Sequence, residues 1–321
     1  MKIAVIGAYG HIGTYLVPMF IKDGNEVIAI SRGISKPYEE NPLWEKAIKV
    51  KLDRNTESDF AKTIADMQAE VVIDLINFDL NETKLMVRAL KGTNCRQYLY
   101  CSSCWAHSRA EILPVNSDDM SNEPLCDYGK DKLASENYLR NEYKQNGFPA
   151  TCIRPGQISG PGWAIIGPWG NVSLTPFQKI ANGEKIMLPN FGMETIHHVH
   201  GYDVAQCFYK AVIHRDKALG EVFEAASGNS ITLYGYAKLM YDFFGKEPQI
   251  GFMPWKEWCE YEGNDEECES TYLHIARSGS YNIDKEKELL DYHPKYTNVE
   301  TIKIAVQSYV ERGLIQTEKK F

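Results

Sequence analysis

Tyr128 and Lys132 stand four residues apart in the segment YGKDKLASENYL, and that spacing can do proton chemistry. On a helix, positions i and i+4 share a face, so the lysine ammonium lies close to the phenol. A free tyrosine titrates near pH ~10, and each unit of depression corresponds to about 1.4 kcal/mol of extra stabilisation of the phenolate. A neighbouring ammonium is an opposite charge of the kind that lowers it. Tyr128 could then exchange a proton with an alcohol or carbonyl oxygen near neutral pH. The pair alone also describes an ordinary amphipathic helix. Two further features turn the balance toward chemistry: a glycine loop at the start of the chain, GAYGHIG, and Ser103 in YLYCSSCWAH.

The loop follows a short apolar run, Lys2 to Ile6, and opens an apolar segment ending at Gly24; a second such run covers 26–30. Strand, glycine turn, helix and strand within about 30 residues is the setting of a dinucleotide-binding fingerprint. Gly7 would permit the tight turn, Gly10 the approach of a pyrophosphate, and Gly13 close helix–strand packing, with the helix N-terminus facing the phosphates. The spacing is G-x-x-G-x-x-G rather than G-x-G-x-x-G. Pro18 is expected to bend the first helix without ending it. An oxidised nicotinamide ring bound here would add a second positive charge beside Tyr128. NAD-selective sites carry an acid after the second strand, whereas this chain has Ser31-Arg32-Gly33. Ser31 and Arg32 suit a 2′-phosphate, which favours NADP over NAD.

These groups need a scaffold, and the alternation of patterns supplies one. After the second strand come a strand at 48–51, a helix near 57–68 and a strand at 71–75. A helix at 82–90, a strand at 97–101, a long helix at 127–145 and a strand at 151–153 follow. The segment RPGQISGPGWAIIGPWGN is irregular, rich in Gly, Pro and Trp. Helix returns at 204–214, strand at 222–225 and helix at 233–244. The expectation is an α/β fold, a Rossmann doubly wound parallel sheet with a smaller, interleaved C-terminal substrate domain. Residues 1–155 would bind the dinucleotide, completed by about 200–228, and 156–199 with 229–321 would bind substrate.

The chain's 321 residues suffice for one large domain or two joined ones. No apolar run reaches the length of a membrane span, and the stretch after Lys2 is too short for a secretory signal. A net charge of −8 argues against a nucleic-acid surface. Eight cysteines without a secretory signal point to reduced thiols in the cytoplasm. Cys101 and Cys104 form C-x-x-C with no second pair to complete a zinc site, and are read as buried thiols. The acidic stretch 260–269 reads as a solvated loop or helix start. His197, His198 and His200 resemble ligands, but three on one short strand cannot all point inward. They are expected in a polar turn with Asp203 as helix cap, and no metal is expected.

The blocks GAYGHIG, YLYCSSCWAH, YGKDKLASENYL and RPGQISGPG, with HHVHGYDVAQ and ELLDYHPKYTNVE, resemble the extended short-chain dehydrogenase/reductase superfamily, in its NAD(P)-dependent epimerase/dehydratase branch. The resemblance implies a mechanism. Ser103 would hydrogen-bond the substrate oxygen, Tyr128 would exchange its proton, and Lys132 would lower the tyrosine pKa and hold the nicotinamide ribose. Hydride would pass between substrate carbon and nicotinamide. Ser102 is the rival for the serine role, since strand alternation lets one of the two face the site. The resemblance adds His11, Ile12, Asp53 and Asn77 to the cofactor set. Cys104, Trp105, Gln157, Trp163 and Asn171 are candidates to line the substrate pocket, though Trp163 and Trp169 could equally anchor their loop. Dehydratases of this branch place Asp-Glu after the catalytic Thr, where this chain has Cys104-Trp105, so dehydration is disfavoured. Tyr202 stands where relatives often carry an acid.

The main expectation is an oxidoreductase interconverting a carbonyl and a secondary alcohol on a small-molecule substrate. An epimerase with tightly held cofactor, or a non-catalytic NADP-sensing or RNA-associated protein, is the alternative. Relatives pair the tyrosine helix with its neighbour across a two-fold axis. Leu133, Tyr138 and Leu139 with the 86–90 helix would give a homodimer seam.

Overall fold

The fold is taken from a computed structural model that describes residues 1–119 and 123–319. Apolar, β-branched runs form strands β1 (Lys2–Ile6), β2 (Glu26–Ser31), β3 (Ile48–Lys51), β4 (Val71–Asp74), β5 (Gln97–Cys101) and β6 (Ala150–Pro155). A late strand, Val222–Ala225, joins them. All pair in parallel, in the order Val222–Ala225, β6, β5, β4, β1, β2, β3. β4, β5 and β6 are buried along their whole length, which is why they read as continuous rather than alternating apolar runs. The order reverses between β1 and β4, and that switch point opens a crevice beyond the strands' carboxyl ends.

Helices cover both faces. α1 (Gly13–Lys22) and the helix Gly201–Ile213 pack on one side, burying Leu16, Phe20 and Phe208 against Val5 and Leu99. α2 (Phe60–Asp66), α3 (Leu80–Leu90) and α4 (Asp127–Asn146) cover the other, with Ile64, Met86, Val87 and Leu139 against Ile6 and Tyr98. α1 continues through Pro18, as expected. Gly147, in left-handed conformation, ends α4. A further apolar core gathers Trp169, Phe177, Leu188, Tyr236, Met240 and Trp258 from the later part of the chain. Among the described residues, no helix is long and apolar enough to cross a membrane.

Three expectations need correction. Met86, Leu90 and Leu139, offered for a dimer seam, are at most 3% exposed and belong to the protomer's own core. The outward side of α3 carries Leu85 instead. Asp203 is not the cap of helix Gly201–Ile213: the His200 ring accepts from Tyr202 N at 3.1 Å. Asp203 is buried in the first turn, where its carboxylate accepts from Lys295 N at 2.6 Å and Tyr296 N at 3.0 Å. Finally, His197, His198 and His200 are all buried, each in a different neighbourhood. His197 meets Ser227, His198 hydrogen-bonds Ser159 at 2.7 Å, and His200 packs on Tyr15 and Tyr296. The short strand His198–His200 and the link His197 before it lie between other elements, so both faces are interior. Among the described residues no group of His, Cys, Asp or Glu is placed to hold a metal.

Candidate functional site

The crevice holds a cavity of about 610 Å³ whose floor is the glycine loop and whose walls come from the ends of β4, β5, β6 and the start of α4. Gly7 has φ +83°, and a Cβ there would sit 2.7 Å from Ile76 Cγ2. A Cβ on Gly13 would sit 2.1 Å from the carbonyl oxygen of Ala8, so only glycine lets α1 approach so closely. Thr14 N bonds back to the carbonyl of Gly10 at 3.0 Å, and Tyr15 N and Leu16 N bond to that of Ile12 at 3.1 and 3.0 Å, which closes the first turn of α1 onto the glycine loop. Gly10, His11 and Ile12 line it. This cradle fits the pyrophosphate of a dinucleotide.

On the opposite wall stand Ser103, Tyr128 and Lys132. Lys132 is fully buried, and its ammonium donates to the carbonyls of Asn77 at 2.6 Å and Cys101 at 2.7 Å. The rings of Phe78, Tyr100 and Tyr128 surround it at 4.8, 5.0 and 5.6 Å. Burial lowers the lysine pKa. Burial likewise raises that of Tyr128, with the hydroxyl of Ser103 acting in the opposite direction. The expected depression by Lys132 is therefore absent from the protein's own groups. The ammonium is already engaged by two carbonyls, and desolvation of the phenolate outweighs it. Tyr128 is 40% exposed, and its hydroxyl lies beside that of Ser103.

The two serines separate clearly. Ser103 Oγ accepts from Trp105 N at 3.1 Å, and its hydroxyl lies beside that of Tyr128. Ser102 Oγ instead donates to Glu136, which is bound to the buried Arg154 at 2.5 Å. Arg154 also pairs with Glu224 at 3.2 Å, and His107 meets the same Glu224 oxygen at 2.6 Å.

Of the remaining candidates, Trp105 and Gln157 lie in the cavity wall. Cys104 lies behind it, with burial pushing its thiol up to about 11, and so is a packed hydrophobe rather than an acid or base. The carbonyl of Asn77 holds Lys132, while its side chain turns to Tyr98 Oη at 3.4 Å. Trp163 is outside the wall but touches it: its indole stacks on His11 and donates to the carbonyl of Ile158 at 3.2 Å. Asn171 does not reach the cavity. It is fully buried, bonded to Ser173 N and Gly167 N within its own loop. Ser31 and Arg32 stand at the end of β2, beyond the glycine loop, with Arg32 exposed. Half-buried Asp53 accepts from Asn55 N at 3.0 Å and shapes the turn after β3.

Sequence reasoning missed two neighbours. Phe78 is 54% exposed and forms the cavity lip over Lys132. Arg277 is 3% exposed, lies 4.2 Å over the Trp105 ring, and has no carboxylate partner among the described residues. No local pattern could mark either, because each acquires meaning only from a distant segment.

Comparison with known proteins agrees with this fold. The NAD dependent epimerase/dehydratase family model matches residues 3–226. The chloroplast stem-loop binding protein of 41 kDa b of Arabidopsis thaliana is 26% identical over 333 residues, covering 100% of this chain and 82% of its own length. The 2′-dehydrokanamycin reductase of Streptomyces kanamyceticus is 27% identical over 158 residues, 49% of this chain and 43% of the reductase. Among solved structures, the UDP-glucose 4-epimerase of Thermotoga maritima with UDP-glucose superposes with a TM-score of 0.72 at 19% identity, covering 97% of this chain and 99% of its own. The UDP-glucuronic acid 4-epimerase of Bacillus cereus with UDP-glucuronic acid and NAD gives 0.73 at 17% identity, covering 97% and 100%. At such identities the structures share the fold.

Proposed function

Because the chain belongs to the NAD dependent epimerase/dehydratase family, an enzyme family of the short-chain dehydrogenase/reductase type, we propose that it interconverts a carbonyl and a secondary alcohol with NADP(H). The observation that carries this reading is the meeting of Ser103, Tyr128 and Lys132 on one wall, facing the glycine cradle. Nicotinamide, when bound, supplies hydride exchange. Gly7, Gly10, His11 and Ile12 would hold the dinucleotide. Ser103 donates to the substrate oxygen and fixes it beside the phenol. Tyr128 moves the proton at its Oη. Lys132 is held in place by the carbonyls of Asn77 and Cys101, with a donor left for the ribose.

The choice of NADP rests on Ser31 and Arg32 in place of an acid. Buried Arg277 behind Trp105 donates to the carbonyl of Leu273 and to Cys126 Sγ, but it has an unpartnered Nε and no carboxylate partner among the described residues, which supports a substrate with an anionic group. A homodimer would use the outward faces of α3 and α4.

The test is incubation of keto-sugars with NADPH or NADH, and of sugar nucleotides with NADP+ or NAD+. Loss of reduced nicotinamide marks net reduction, and C4 inversion without such loss marks the epimerase alternative. Neither product with any anionic sugar would overturn the reading. One relative spanning the whole chain is named for stem-loop binding, so an RNA-associated protein is the second reading. Retarded migration of a stem-loop RNA, unaffected by Tyr128→Phe, would favour it.

A further inference from the structure

Ser31, at the end of β2, is the register partner of Lys51, at the end of β3, and Leu52 N donates to the Ser31 carbonyl at 2.9 Å. Paired positions on parallel strands lie about 4.8 Å apart and send their side chains to the same face. Between them runs the turn Ser31-Arg32-Gly33. Gly33 has φ +73°, and a Cβ there would stand 3.1, 3.3 and 3.4 Å from Cδ, Cγ and Cε of Lys51. The lysine stem therefore lies across this turn, occupying the space a side chain would need beside the residue that follows Arg32. Lys49, two residues earlier, is tied to Glu45 at 3.4 Å. Lys51 is exposed and has no carboxylate partner among the described residues. Ser31 Oγ accepts from Gly33 N at 3.2 Å, so its proton is available to a further acceptor.

We propose that Lys51 is a specificity-determining residue for the cofactor. With Arg32 and Ser31 it forms a subsite for the 2′-phosphate of NADP. The inference rests on the NADP reading above and adds a residue to it. A phosphate monoester carries about −1.5 to −2 charges near neutrality. Two unpaired cations and a hydroxyl donor brought together by the β2–β3 register match that charge and its oxygens. β3 is the sheet's edge and Arg32, Gly33 and Lys51 are exposed, so the subsite is open to solvent.

The experiment compares adenosine 2′,5′-bisphosphate with adenosine 5′-monophosphate by calorimetric titration, two probes that differ in the 2′-phosphate alone. The wild-type chain is expected to bind the bisphosphate at least tenfold tighter. Lys51→Ala should lose about tenfold for the bisphosphate, the scale of one charged hydrogen bond, and keep its affinity for the monophosphate. Lys51→Arg should retain the preference. A wild-type chain without preference would overturn the NADP reading and this inference with it. A preference that survives Lys51→Ala intact would overturn the lysine's role alone. Equal losses for both probes would also overturn it, because the lysine would then support the fold and not the phosphate.

Discussion

The imidazole of His11 lies flat on the indole of Trp163, with ring centroids 3.8 Å apart and planes 13° from parallel. His11 belongs to the glycine loop, and Trp163 to the irregular segment after β6. Tyr38 closes on both rings, 4.7 Å from His11 and 5.0 Å from Trp163. Burial in this stack lowers the histidine pKa to about 4, so it is neutral at physiological pH. The loop that would carry the dinucleotide is thus braced by a residue that does not line the cavity. Trp163→Ala should raise the His11 pKa toward about 6.5 and weaken dinucleotide binding several-fold. Trp163→Phe should preserve most of both. An NMR titration of His11 beside calorimetry checks this, and an unshifted His11 in Trp163→Ala would refute the brace.

Five wholly or partly buried histidines make stability depend on pH. His11, His197, His200 and His274 are lowered to about 4 and His198 to about 3, all by burial. In the unfolded chain each takes up a proton near pH ~6.5, whereas the folded chain resists until about 4. The unfolded state therefore binds more protons in that window, and stability falls as pH drops from about 6.5 to 4. Asp203, raised to about 6, and Glu286, raised to about 7, act in the opposite sense over much of the same range. Five against two leaves a net loss. Urea unfolding at pH 7 and at pH 5 should give a lower midpoint at pH 5; equal midpoints would contradict the balance.

Tyr128→Phe should reduce turnover by about 10²–10⁴, the usual worth of a general acid–base group, while leaving dinucleotide affinity nearly unchanged. Ser103→Ala should act on turnover in the same way. Lys132→Met removes the donor to two buried carbonyls, so it should lower stability as well as cofactor affinity. Combined losses should be less than the sum of the single ones, because the three act as a unit. Steady-state rates, cofactor titration and thermal midpoints for each variant separate these effects. Full activity in Tyr128→Phe would end the proton-transfer mechanism.

Replacing Arg154 by Met should destabilise the protein by about 3–5 kcal/mol, the cost of leaving buried carboxylates without their partner. Glu136 and Glu224 would both lose their guanidinium. Ser102→Ala, which removes a single hydroxyl from Glu136, should cost far less and leave turnover intact, in contrast to Ser103→Ala. Chemical denaturation measures the first, and comparison of the two serine variants the second. Equal turnover losses in both serine variants would return Ser102 to candidacy.

Much of the scaffold was legible in the chain because its elements advertise themselves locally. The apolar strand 222–225 and the helix 233–244 stand where their patterns place them. The glycine loop is equally local: Gly7 and Gly13 are required by contacts within a few residues or with the adjacent strand. The site was harder to read. Ser102 and Ser103 are distinguished by Glu136, more than 30 residues away, and Asp203 is withdrawn from its capping role by the backbone of 295–296. Asn171 has the polarity of a pocket residue, yet its loop folds inward and turns its Oδ1 to Ser173 N there. Arg277 and Lys51 carry no motif at all, since a distant ring and a register pairing give them their surroundings.

The partition of Arg154 between Glu136 on α4 and Glu224 on the strand Val222–Ala225 has a consequence for how the chain is made. On the ribosome, β6 emerges long before residues 222–225 that will cover its outer edge. Until they arrive, Cys152 and Ile153 present an unpaired strand edge, and half of the arginine's counter-charge is missing. Domains fold as units during synthesis, and non-local strand pairing is slow. The nascent chain thus passes through a stage in which the dinucleotide cradle can already form while the sheet beside it remains open to a neighbouring strand. A chaperone or a bound dinucleotide would be most useful in that interval, when the intervening 66 residues, 156–221, are still being added.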